Sequence, residues 1–345
     1  MTKQTLFFIL IQFMAVLTAT AQNSNMTKIT VRSTSIESNL VEDGPEVNVG
    51  VFLPPGYHKD LNKRYPVMYW LHGFSGWKNT SGKTGWGENR VNAIVKMMKA
   101  GEVKPMIIVM PDAANSFGGS FYTNSLATGN WEDLIAYELP NYIDANYRTI
   151  SKPESRGIGG HSMGGSGAVR IAIKHADIFS AVYGSGSCCL SDLDFLFNDR
   201  IIRETLSIDS WETRMKGSFY AKGMLAVSAA YSPDPDNPPF YADLPYELSG
   251  DSLLNKESVK AKWAANTVLW MADQYISNLK RLKGIYLGVG TRDPYISGSI
   301  AFSAALKKYK IEHSLDVFEG GHGDKLNERI VNNVLPFFSE ILMSE

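Results

Sequence analysis

The sequence predicts an α/β fold: a mostly parallel central sheet with helices on both faces and one helical, cap-like insertion. Three observations predict it. Short apolar runs bounded by glycine recur along the chain, segments of helical apolar spacing fall between most of them, and in one long stretch that alternation stops.

The first 21 residues read as an export signal. Lys3 supplies the positive start, residues 6–17 an apolar core, and Ala19-Thr20-Ala21 a small-residue cleavage site. An apolar run of about 12 residues falls short of the roughly 20 that span a bilayer. The expectation is therefore a secreted or periplasmic protein whose mature chain, residues 22–345, is one catalytic domain without an integral membrane segment. A formal net charge of −1, with no basic run interleaved with aromatics, argues against a nucleic-acid partner.

Residues 29–36 and 47–53 alternate as strands do and give the sheet an antiparallel start. The buried runs follow at residues 66–71, 106–110, 156–159, 179–184, 284–289 and 314–318. Residues 88–100 place Val91, Ile94, Val95 and Met98 on one helical face, and residues 131–147 do so with Leu134, Ile135, Leu139 and Ile143, with a kink expected at Pro140. Residues 191–282 carry no buried strand run and crowd prolines between aromatic-rich helical segments; this is the insertion. The only cysteines, Cys188 and Cys189, are neighbours. They cannot staple distant parts of the chain or supply four metal ligands, and their spacing is compatible with a strained bond between them or with two buried thiols.

The chemistry begins at Gly160-His161-Ser162-Met163-Gly164-Gly165. A bare GxSxG is weak in a chain with 30 glycines, but this one leaves a strand and enters a helix-compatible stretch, the context of a nucleophile elbow. Glycines on both sides permit a tight turn that exposes the Ser162 hydroxyl at a helix start. In such a site the acid and the histidine follow the serine in chain order. Of six histidines only His313 and His322 lie late enough; His313 opens a strand, whereas His322 sits in a glycine-framed loop. The acid belongs just past the preceding strand, where Asp293 stands, with Asp324 as the rival. An oxyanion needs fixed backbone donors: Met163 directly after the nucleophile, and Phe74 in the loop after the first parallel strand. His72 beside it reads as a loop-packing residue.

Jointly, Tyr69-Trp70-Leu71-His72-Gly73, Val109-Met110-Pro111-Asp112, the Ser162 segment, Gly290-Thr291-Arg292-Asp293 and Gly320-Gly321-His322 resemble the putative-esterase group of α/β hydrolases. That group includes esterase D, feruloyl and acetyl xylan esterases, and mycolyltransferases. The resemblance spans roughly residues 40 to 340, as one domain of the fold would. It implies the α/β-hydrolase fold, a triad of Ser162, Asp293 and His322, an oxyanion hole of Phe74 and Met163, and an ester substrate handled without metal or cofactor. Two departures limit it. The insertion is longer than in compact feruloyl esterases, so their substrate contacts do not transfer, and Gly323-Asp324 stands where an aromatic-bearing segment is common.

Export and the resemblance together imply feruloyl or acetyl esters of a polysaccharide. The aromatics Trp211, Phe219, Tyr220, Tyr231, Phe240, Tyr241, Trp263 and Trp270 could stack on such a substrate or form the insertion's own small core. An acyltransferase using a sugar or lipid hydroxyl, and a non-catalytic carbohydrate-binding protein on the same fold, are the alternatives.

Overall fold

The computed structural model describes residues 25–76, 88–191 and 193–345; the signal expected over residues 1–21 lies outside them. Eight strands form the main sheet in the order β1 (Met26–Arg32), β2 (Glu46–Phe52), β4 (Ile107–Pro111), β3 (Val67–Leu71), β7 (Arg156–His161), β8 (Ala181–Ser185), β11 (Gly284–Gly290) and β12 (Ser314–Phe318). β2 pairs antiparallel with β1 and β4, and every pairing from β4 to β12 is parallel. Two ribbons lie apart from it: β5 (Asn124–Ser125) with β6 (Gly129–Asn130), and β9 (Tyr246–Ser249) with β10 (Ser252–Asn255).

The central strands read as unbroken apolar runs because both their faces are covered. Val67, Tyr69 and Leu71 join one core while Met68 and Trp70 join the other, and Ile107 and Val109 alternate with Ile108 and Met110 in the same way. The first core is closed by Trp131–Asn146 and Met163–Lys174, the second by Glu88–Ala100 and the C-terminal helix Leu335–Ile341. Each fully buried apolar side chain contributes on the order of 2 kcal/mol. All the crossovers deliver their loops to the C-terminal edge of the parallel strands, where open α/β sheets assemble sites.

Three expectations are corrected here. The first strand ends at Arg32 rather than continuing to Ile36, because the Glu138 carboxylate captures the Ser33 and Thr34 hydroxyls and the Ser35 N–H and turns the chain away. The irregularity expected at Pro140 lies one turn earlier, as a π-helical turn over Leu134–Glu138; the wider turn shifts the hydrogen-bond ladder before it meets a residue with no N–H to give. Residues between β8 and β11 are mostly helical, as expected, but include the exposed β9–β10 ribbon.

One buried charge cluster ties the two helices under the first core. Glu132 receives Arg170 (3.3 Å), Lys174 and His175 (3.0 Å). Burial alone would raise its pKa, but the hydrogen bonds from His175 and Lys174 and the charges of Lys174 and Arg170 outweigh it and hold the carboxyl at about 2. A depressed acid stabilises the fold above its unfolded value of 4.5, and that stabilisation is lost as pH falls toward 2. Glu132→Gln should therefore cost about 3 kcal/mol near neutrality, where it leaves buried cations unpaired. The gap to the parent should shrink as pH is lowered through that window; denaturant unfolding at several pH values measures it, and a gap independent of pH would refute the assignment.

Candidate active site

β7 runs straight into the helix Met163–Lys174 through Ser162, whose backbone stands at φ 58°, ψ −120°. Sterics allow this turn only because two residues lack a side chain. A Cβ on Gly160 would lie 2.3 Å from the Gly164 carbonyl oxygen, and one on Gly164 would lie 2.1 Å from that of Leu71. The serine is held by its N–H to the Ser185 carbonyl (2.9 Å) and by its carbonyl, which accepts from Ser166 N–H (3.0 Å).

The three residues singled out from the sequence converge across three strand ends. The Ser162 hydroxyl donates to His322 Nε2 at 2.9 Å, and His322 Nδ1–H donates to Asp293 Oδ2 at 3.0 Å. Asp293 is 2 % exposed, and its other oxygen accepts the Tyr295 N–H at 2.9 Å, so its Asx turn and its contact with histidine coexist. The rival Asp324 is exposed and accepts the Gly321 N–H at 2.7 Å instead. It shapes the histidine loop and does not meet the imidazole's Nδ1. His313 binds Ser303 (2.7 Å) and the Ile311 carbonyl, far from this chain of contacts.

Two further histidines flank the site as neutral rings. Burial lowers His72 to a pKa of about 4; its Nδ1–H donates to the Gly73 carbonyl (2.7 Å) and Nε2 accepts the Ala113 N–H (2.8 Å), which fixes the loop as a packing residue would. Burial, and then the proximity of His322, lowers His161 to about 3, and its ring lies 4.7 Å from that of His322. Chain order sets His161 aside, since it precedes Ser162, and its contact with His322 was missed. Tyr295 meets the other side of His322 edge to face at 4.8 Å, and this too was missed.

Met163 is the first residue of its helix, so its N–H has no intrahelical acceptor. Gly73, before Phe74, packs against Ser162: a Cβ there would lie 3.2 Å from Ser162 Cβ. Phe74 and Met163 line one cleft with Ser162, the two places named for oxyanion donors. The cleft is partly open to solvent and almost wholly apolar, with Phe121, Cys188, Phe195, Phe219, Tyr220 and Tyr295 among its walls. Of the aromatics in residues 191–282 that were considered for stacking, Phe219 and Tyr220 reach this cleft. Tyr231, Phe240 and Trp263 are buried, and Trp211 packs on Phe117 and Phe240, so they serve as core.

A family model described as Putative esterase matches residues 42–326. An esterase of Mycobacterium tuberculosis, in each of two strains, is 33% identical over 138 residues, which is 39% of this chain and 27% of the relative; the match thus spans about a quarter of those proteins' length. Among solved structures, a ferulic acid esterase superposes with a TM-score of 0.61 at 23% identity, covering 92% of this chain and 97% of the other. An S-formylglutathione hydrolase from Staphylococcus aureus gives 0.56 at 15% identity, covering 91% and 100%. At these identities the superpositions establish the α/β-hydrolase fold.

The geometry separates the two acids sharply. Asp293→Asn should slow covalent labelling of Ser162 by a fluorophosphonate by about 10³ to 10⁴, through loss of the tautomer that the carboxylate holds. Asp324→Asn should slow it by less than about tenfold, since it loosens a loop only. Equal effects in a labelling time course would reverse the assignment.

Proposed function

The chain belongs to the Putative esterase family, and from that premise we propose that it is a serine ester hydrolase acting through an acyl-enzyme on esters of an aromatic acid. The carrying observation is the continuous hydrogen-bond chain from the Ser162 hydroxyl through His322 to buried Asp293, opening on an apolar cleft.

In this reading Ser162 Oγ attacks the ester carbonyl while its proton passes to His322 Nε2, and Asp293 holds the resulting imidazolium. The carbonyl oxygen becomes an anion that the N–H groups of Met163 and Phe74 receive. The protonated His322 then gives its proton to the departing alcohol, and water repeats the sequence to free the acid. The neutral His161 against the ring adds no competing charge.

The acyl group is assigned from the cleft walls. Phe74, Phe121, Phe195, Phe219, Tyr220 and Tyr295 offer faces and edges to a flat ring, which a two-carbon acyl would leave largely uncovered. A feruloyl-type ester fits this better than an acetyl ester. The ferulic acid esterase that shares the fold supports the reading, as does the export signal read in residues 1–21, which would give the enzyme access to polysaccharide-linked esters.

Ser162→Ala should lower turnover by about four to six orders of magnitude, the scale of triad knockouts. With the parent protein, kcat/KM for a feruloyl ester should exceed that for the matching acetyl ester by at least about tenfold. Near-parental activity of the alanine variant would sink the nucleophile, and equal specificity constants would sink the aromatic acyl group.

A further inference from the structure

The loop after β8 carries Cys188 and Cys189 directly beneath the nucleophile. Cys188 N–H donates to the Ser162 carbonyl at 3.4 Å, its Sγ accepts from Ser166 Oγ at 3.8 Å, and the Cys189 N–H donates to the same Ser166 oxygen at 2.7 Å. Both are free thiols, with their sulfurs 2.7 Å apart. Cys188 is half-buried and faces the cleft with Ser162; Cys189 lies behind it at 1 % exposure, and burial pushes its thiol well above the ordinary range.

Ester hydrolysis uses neither sulfur. Two thiols in one cleft wall, one reachable and one held against it, are instead the arrangement in which an oxidised sulfur meets its resolving partner at once. The sequence has no third cysteine to compete. We propose that Cys188–Cys189 is an oxidation site in the cleft wall: a hydroperoxide joins the two sulfurs into a disulfide, and the altered wall shuts the nucleophile off from its substrate.

The electrons balance in two steps. Cys188 gives up its thiol proton and its sulfur attacks one peroxide oxygen; the S–O bond forms, the O–O bond breaks, and for hydrogen peroxide the leaving hydroxide takes up that proton and departs as water. Cys189 sulfur then attacks Cys188 sulfur, giving up its proton; the S–S bond forms, the S–O bond breaks, and a second water leaves. Two thiols are oxidised by two electrons and the peroxide is reduced by two.

The effect on the cleft follows from chain geometry. Consecutive Cα atoms are about 3.8 Å apart, below the roughly 4.4–6.8 Å that a disulfide usually spans. Closure must therefore deform the 188–189 peptide. The N–H groups of these two residues hold the Ser162 carbonyl and the Ser166 hydroxyl, so the deformation reaches the nucleophile's turn. This last step rests on the reading of Ser162 as nucleophile; the formation of the disulfide does not.

The test uses the full chain, reduced and then treated with hydrogen peroxide. Intact mass should fall by two hydrogens, and both thiols should become unreactive to iodoacetamide. Fluorophosphonate labelling of Ser162 should slow by about tenfold or more, with dithiothreitol reversing all three. Ser162→Ala should lose the same two hydrogens. Cys189→Ala, which leaves the cleft-facing sulfur in place, should instead gain one oxygen on Cys188. Thiols that stay alkylatable, oxygens added to Cys188 in the parent without a disulfide, or a disulfide that leaves labelling unchanged would each overturn the proposal. A reduced protein that takes no label at all would refute the nucleophile, and the mass change alone would then decide the cysteine pair.

Discussion

The site depends on one close approach, that of the turn at Gly160 and Gly164 to the end of β3. Backbone meets backbone there at distances no Cβ could share, so the strand can pass into the helix within a single residue. Ser162 takes the left-handed backbone that results. For a residue with a side chain this conformation costs on the order of 1–2 kcal/mol, which the hydrogen bonds to Ser185 and Ser166 and the packed sheet around it offset. Ser75, Phe121 and Tyr122 also have positive φ and stand in the loops around the same cleft. Glu42, Tyr241, Lys310 and Lys325 adopt positive φ elsewhere in the chain, and none of these residues stands in a strand of the main sheet.

Electrostatics at the site are arranged by what is left uncharged. His72 and His161 are kept neutral by burial, so Asp293 is the buried charge that His322 meets directly. A proton arriving on His322 therefore finds an attracting carboxylate on one side and a neutral ring on the other. Were His161 charged at 4.7 Å, it would oppose the imidazolium that a nucleophilic serine requires. The residue before Ser162 thus meets the histidine through ring packing, where the acid meets it through a hydrogen bond.

This explains what the sequence could and could not show. Central strands were legible because burial on both faces imposes continuous apolar runs, and Ser162, Asp293 and His322 because each follows such a run at a glycine-rich end. β9 and β10 were illegible: exposed nearly throughout, they need no apolar alternation. The end of β1 was illegible for another reason, since it is set by Glu138 from far along the chain, while the π-turn before Pro140 is a local shift of the helix ladder that leaves the apolar spacing unchanged. Cleft-wall residues such as Phe121, Phe195 and Tyr295 come from loops and a single short 3-10 turn, too short to carry a period, and only their arrangement in space makes them a surface.

Those walls are secured differently from the site they surround. The hydrogen-bond chain is fixed by sheet register, with Ser162, Asp293 and His322 seated at the ends of adjacent or nearly adjacent strands β7, β11 and β12. The far wall is formed by the helical segment Phe219–Tyr231, tied to the β5–β6 ribbon through Ser125, whose hydroxyl donates to the Ala229 carbonyl, while Arg214 of the preceding helix Trp211–Lys216 donates to the Phe117 carbonyl. Phe219 and Tyr220 project from the first turn of Phe219–Tyr231, 57 % and 41 % exposed, with little packing to hold them. Phe219 and Tyr220 thus rest on a part of the chain separate from the hydrogen-bond chain, whereas Tyr295 belongs to both, lining the cleft while its N–H holds Asp293. On the proposed reading, substitutions in the first turn of that helix would act on the acyl group and would reach the reacting atoms through Phe74, whose ring Phe219 meets edge to face at 5.5 Å.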